Sequence, residues 1–151
     1  MSLILGLVPL AIAVGMSMDV YVEEYNESLK NNNYKNIPTI FKDKDILIKT
    51  LTEHGFKVNV INDNNIYIDN EQGILRYSRE NEYHPYVMNL ENIPDMNCFM
   101  KEVKSINEEY GNNVQEYTYN VLMDNVKKNE WNVESEEILE DDTIILTIDI
   151  D

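Results

Sequence analysis

Side chains able to form covalent intermediates are scarce in this chain: one cysteine, Cys98, and two histidines, His54 and His84. A thiol that loses its proton to a neighbouring imidazole becomes a strong nucleophile, so Cys98 with His84 or His54 as base would define a small enzyme. Their settings point another way. Cys98 falls among Met96, Phe99 and Met100 near an expected helix start, where a small apolar residue packs well. His54 falls in the last turn of another expected helix, where the dipole favours a cation.

A second grouping suggests recognition rather than catalysis. Tyr77, Tyr83 and Tyr86 lie close in sequence to Arg76, Arg79 and His84, and these are the only two arginines of the chain. Aromatic and guanidinium groups are enriched where proteins meet partners, so this cluster is the best candidate binding surface. An ordinary amphipathic pair of strands would carry the same residues.

Metal and cofactor chemistry find little to build on. Asp63, Asn65 and Asp69 resemble a calcium loop, yet Ile68 stands where its sharp turn needs glycine. Glu140, Asp141 and Asp142 are adjacent and cannot converge on one ion. No glycine-rich phosphate loop and no H-E-x-x-H occurs. No metal site and no cofactor is expected.

Charge narrows the partners. The 151 residues include 28 acidic and 12 basic side chains, a formal net charge of −16. Phosphates are bound by Lys and Arg that displace counterions, so direct nucleic-acid binding is disfavoured. The same charge admits an acidic decoy for a basic nucleic-acid-binding protein. A protein partner is expected. One cysteine excludes an internal disulfide framework, and a hydrophobic fraction of 43% suffices for a packed core.

The elements that must position these residues begin with an anomaly. No charged side chain occurs from Met1 to Met18. As a helix at ~1.5 Å per residue, Ser2 to Val22 would reach roughly 31 Å, near the ~30 Å of a bilayer's hydrocarbon core. Residues 1–22 are therefore expected to form a hydrophobic helix, read as a membrane anchor. A cleaved signal peptide and a hydrophobic arm packed on this domain or a partner subunit compete with that reading. Lys30 and Lys35, downstream of the apolar run, place the following domain in the cytoplasm by the positive-inside rule. Residues 23–35 read as a polar helical linker, and residues 36–151 as one acidic domain.

Within that domain, Ile37 to Phe41 is extended. Asp43 can cap a helix carrying Ile46, Leu47, Thr50, Leu51 and His54, with Gly55 as its stop. Phe56, Val58 and Val60 alternate as a second strand, residues 62–65 supply a turn, and Ile66 to Asp69 returns. Ile74 to Ser78 and Tyr86 to Leu90 are extended, with Pro85 demoting the latter to an edge or irregular strand. Pro94 fits the first turn of a helix with stripe Met96, Phe99, Met100, Val103, Ile106 and Tyr110. Gly111 then interrupts, and Asn113 caps a further helix with stripe Val114, Tyr117, Val121, Leu122 and Val126. A closing hairpin runs through Trp131, Val133 and Ser135 and returns with Ile144, Leu146, Ile148 and Ile150 on one face. The expected fold is α+β, an antiparallel-rich sheet with helices on one face, as in a ferredoxin-like or related two-layer sandwich.

The run IPTIFKDKDILIKTLTEHGFKVNV and the closing YTYNVLMDNVKKNEWNVESEEILEDDTIILTI resemble the opening and the end of the "hypothetical chloroplast reading frame thirty-five" group of plastid and cyanobacterial genomes. The likeness covers Ile37 to Ile150 and rests on packing patterns. Members of that group usually begin near the first strand, so the apolar N-terminus is a departure. The resemblance implies a domain of unknown function and assigns no residue a role. The expectation is an interaction or regulatory domain, tethered to a membrane through residues 1–22.

Overall fold

A computed structural model describes residues 1–7 and 36–151. These fall into two compact units, residues 36–110 and residues 1–7 with 111–151. The architecture is α+β with antiparallel sheets throughout.

In the first unit a five-stranded sheet holds β2 (Ile37–Pro38), β3 (Asn59–Asn62), β4 (Asn65–Asn70), β5 (Gly73–Ser78) and β6 (Val87–Glu91) in the order β2-β6-β5-β4-β3. Alternation fixes its buried face: Ile66 and Ile68, Leu75 and Tyr77, and Met88 and Leu90 turn inward from three successive strands. Two helices supply further buried side chains. From α1 (Lys44–Glu53) come Ile46, Leu47, Thr50 and Leu51. From the first half of α2 (Met96–Lys128) come Phe99, Val103, Ile106 and Tyr110. Phe41 meets Tyr77 and Tyr110 edge-on, with ring centroids 5.8 and 4.8 Å apart. The Tyr110 hydroxyl accepts the N–H groups of Lys42 (3.0 Å) and Asp43 (2.9 Å), which anchors the entry to α1.

Caps account for several boundaries. Asp43 accepts the Ile46 N–H at 3.0 Å, the expected N-cap. Gly55, at φ +85°, ends α1 in a left-handed turn where Phe56 N–H donates to Leu51 O (3.1 Å) and Gly55 N–H to Thr52 O (2.9 Å). That double closure consumes the Phe56 donor, so the second strand starts at Asn59 and not at Phe56. Asp95 caps α2, accepting the Cys98 N–H at 3.2 Å, so Pro94 precedes the helix instead of lying in its first turn.

The second unit is a three-stranded sheet in the order β1-β8-β7, formed by β1 (Ser2–Leu7), β7 (Asn132–Ile138) and β8 (Ile144–Asp149). Val126, Leu146 and Ile148 form its core, with Leu5, Leu7, Tyr119, Leu122, Met123 and Trp131 packed against them. The closing hairpin thus has the inward face its alternation requires.

Five expectations are corrected. Ser2–Leu7 is a strand paired antiparallel with β8, Leu5 opposite Leu146 and Leu7 opposite Ile144, so the expected helix does not begin at Ser2. An aliphatic partner strand satisfies this apolar segment without lipid, and no described helix is long and apolar enough to cross a membrane. The rest of the anchor expectation and the linker at 23–35 fall in residues 8–35, outside the described residues. Strands divide between two sheets, and the five-stranded sheet runs β6-β5-β4-β3 through consecutive hairpins. A ferredoxin-like sandwich instead draws both halves of a β-α-β-β-α-β chain into one sheet. Gly111 does not break α2, since an interior glycine costs only about 1 kcal/mol against packing on both sides of it; Asn113 is accordingly buried mid-helix. Although Pro85 precedes it, β6 lies inside the sheet between β2 and β5. Tyr117 (59% exposed) and Val121 (43%) leave the core stripe to Tyr119, Leu122 and Met123.

Gly73 sits at φ +128° where a Cβ would strike Ile93 Cδ1 and approach the Glu91 and Asn92 carbonyls at 3.0 and 3.1 Å; Gly55 has open space. Gly73→Ala should therefore cost about 2 kcal/mol more than Gly55→Ala, read from urea midpoints at equal m-value.

Candidate functional site

β5 ends at Ser78, and the chain returns to the sheet only at Val87. Both ends of this eight-residue excursion are tied down. Arg79 N–H donates to Asn64 O (3.0 Å) and Tyr86 N–H to Phe41 O (2.7 Å). At the tip, the Asn81 side chain accepts the Tyr83 N–H (2.9 Å) while its carbonyl accepts the His84 N–H (3.2 Å), a turn asparagine readily forms.

Between this loop and the β2 segment opens a cleft of about 740 Å³, lined by Asn36, Pro38 and Thr39 on one side and by Ser78–Glu80 and His84–Val87 on the other. Pro38, Pro85 and Val87 make it largely apolar. Thr39 ties the two walls, donating its hydroxyl to Tyr86 O and accepting the Phe41 N–H at 3.1 Å. A concave apolar surface with few polar groups is the usual form of a binding site.

Arg79 is committed to the scaffold. Its guanidinium donates to Asn64 Oδ1 (3.1 Å), Lys42 O (2.6 Å) and Asp63 O (3.1 Å), and lies 4.2 Å over the Tyr86 ring. The Tyr86 hydroxyl also donates to Asp63 O. Burial raises the Tyr86 pKa, with the charges of Arg79 and Lys44 opposing, so it remains a neutral donor. Asp63 is paired at 2.7 Å with Lys44, whose hydrogen bond lowers the carboxyl pKa while raising that of the ammonium.

The sequence cluster is thus only partly assembled. Arg79, His84 and Tyr86 line the cleft. Arg76 does not; it pairs with Glu91 at 3.2 Å and lies 5.3 Å over Tyr67. Tyr77 is buried in the core, and Tyr83 is 75% exposed at the loop tip, outside the lining. His84 is exposed, and its ring makes no hydrogen bond or ion pair with another described residue. Cys98, exposed in the first turn of α2, does not line the cleft that holds His84. Thr39, Asn36 and Ser78 carried no signal in the sequence. Pro85, Glu80 and Val87 were visible only as neighbours of the cluster.

His54 has a separate setting. Its imidazole lies between two carboxylates of α2, Nδ1 3.8 Å from Glu102 and Nε2 2.5 Å from Glu109, the latter contact without hydrogen-bond alignment. It stacks on Phe56 with centroids 6.4 Å apart. Burial, then the hydrogen bond its carboxyl shares with Glu53, raises the Glu109 pKa, with His54 opposing. Among the described residues no group of three or more His, Cys, Asp or Glu could hold a metal ion.

No family model matches the chain, and neither the curated proteins nor the solved structures yield a match.

Two predictions follow from these contacts. Arg79→Lys keeps the charge but loses the planar fork, and should destabilise the fold by about 2 kcal/mol, with a matching drop in the urea midpoint. Glu109 holds its proton more tightly folded than unfolded. Its contribution is therefore greatest below the ordinary glutamate pKa and is lost as pH rises through the raised value. Glu109→Gln should flatten that part of the stability profile, measured by denaturation between about pH 4 and pH 7.

Proposed function

We propose that this chain is a non-enzymatic interaction domain whose cleft beside the 79–86 loop receives a segment of a partner protein. One observation carries the reading: the cleft has an apolar floor and wall, its arginine is spent on the scaffold, and His84 and Glu80 remain at its edge. Such a site offers burial to a short apolar or proline-bearing segment. With a net charge of −16, the chain attracts basic residues flanking that segment and repels nucleic acid. The decoy reading draws on the charge alone, and a Cys98–His84 enzyme would require thiol and imidazole within hydrogen-bond reach. Membership in the chloroplast reading-frame group is compatible with this proposal, since that likeness consists of packing patterns.

Selection of a displayed peptide library on the full chain tests it. Enriched peptides should combine apolar or proline residues with Lys or Arg. They should bind at least about tenfold more weakly to Ser78→Tyr, which fills the cleft, a loss of about 1.4 kcal/mol. Enrichment no better than from a scrambled library, or undiminished binding to a folded Ser78→Tyr protein, would reject the proposal.

A further inference from the structure

The two edges of the three-stranded sheet are not alike. On one side β7 is exposed along its whole length, carries Glu134, Glu136 and Glu137, and has a register shift between Val133 and Ser135. Charge and a bulge are the means by which sheets protect an open edge. On the other side β1, Ser-Leu-Ile-Leu-Gly-Leu, has neither: it carries no charged side chain, its register is regular, and Ile4 is 70% and Leu3 41% exposed.

Its hydrogen-bonding directions can be read from the ladder. Ile150 N–H donates to Met1 O at 3.0 Å, and the pairs Leu3↔Ile148, Leu5↔Leu146 and Leu7↔Ile144 follow at intervals of two. Alternation in an antiparallel ladder therefore turns the main-chain groups of Ser2, Ile4 and Gly6 towards the side of β1 on which no other described strand lies.

We propose that β1 is a self-association surface, on which a second copy of this chain pairs antiparallel about Ile4. In that register Ser2 faces Gly6 of the second copy, Ile4 faces Ile4, and Gly6 faces Ser2. About six main-chain hydrogen bonds close the edge. The small residues Ser2 and Gly6 leave room for the central isoleucine pair on the outer face, while Leu3 meets Leu5 of the second copy on the core face. The result is one six-stranded sheet in the order β7-β8-β1-β1-β8-β7 with isologous symmetry. Charge selects this edge, and the near-symmetric run Ser-Leu-Ile-Leu-Gly about Ile4 suits a second copy of itself. Two copies meeting at β7 would oppose glutamates, whereas two meeting at β1 bring no charged side chain of either strand together. The surface belongs to a different unit from the cleft and does not rest on the peptide-binding reading.

Sedimentation velocity of the full chain is the test. The native protein should sediment with twice the 17.7 kDa chain mass, and more completely as salt screens the repulsion between acidic copies. Ile4→Asp sets like charges face to face and should raise the dimer dissociation constant at least about tenfold. Ile4→Pro removes an outward N–H that β8 does not use and should have the same effect. Ile4→Asp changes a side chain already in solvent, so it stands as the decisive variant if the proline protein does not fold. Glu137→Lys on β7 should leave the dimer intact. A native chain that is monomeric at both low and high salt, or a dimer that survives Ile4→Asp, overturns the proposal.

Discussion

The burial of aliphatic sheet faces against a single long helix is the constraint on which the rest depends. α2 contributes Phe99, Val103, Ile106 and Tyr110 to one unit and Tyr119, Leu122, Met123 and Val126 to the other. Neither sheet could stand with its inner face in water: each fully buried Leu, Ile or Phe is worth roughly 1.5–3 kcal/mol relative to exposure. This explains why the helix runs unbroken through Gly111. The local preference of one glycine is small beside the packing on either side of it.

That hierarchy also explains what could be read from the chain. Features set by neighbours in sequence were legible: the Asp43 cap, the Gly55 stop, the turn at residues 62–65, and the inward Leu146 and Ile148 of the closing hairpin. Features set by distant partners were not. An uncharged segment such as Ser2–Leu7 fits lipid, a core helix or a strand equally well. The choice is made by β8, which lies beyond residue 140. Likewise, extending the Phe99–Tyr110 stripe leads to Tyr117 and Val121, but the second unit takes Tyr119 and Met123 instead.

The candidate site shows the same division. Arg76 and Tyr77 are consecutive on a strand and must point to opposite faces, so a cluster containing both could not converge. Arg79, His84 and Tyr86 escape that rule because they lie at or beyond the strand ends. Sequence alone cannot show that Arg79 would spend its donors on Lys42, Asp63 and Asn64, since those partners come from two other turns. An arginine that looks available for recognition can be the rivet that shapes the recognising surface.

The way the 79–86 loop is suspended has an evolutionary consequence. Its two feet, Arg79 and Tyr86, are locked to the body of the unit, while Glu80, Glu82, Tyr83, His84 and Pro85 are exposed between them. Substitutions in that span disturb little of the core, so selection can rewrite it freely while the frame stays constant. A chain built this way can trade one binding preference for another over generations at small risk to its folding, much as a tool changes bits without changing its handle.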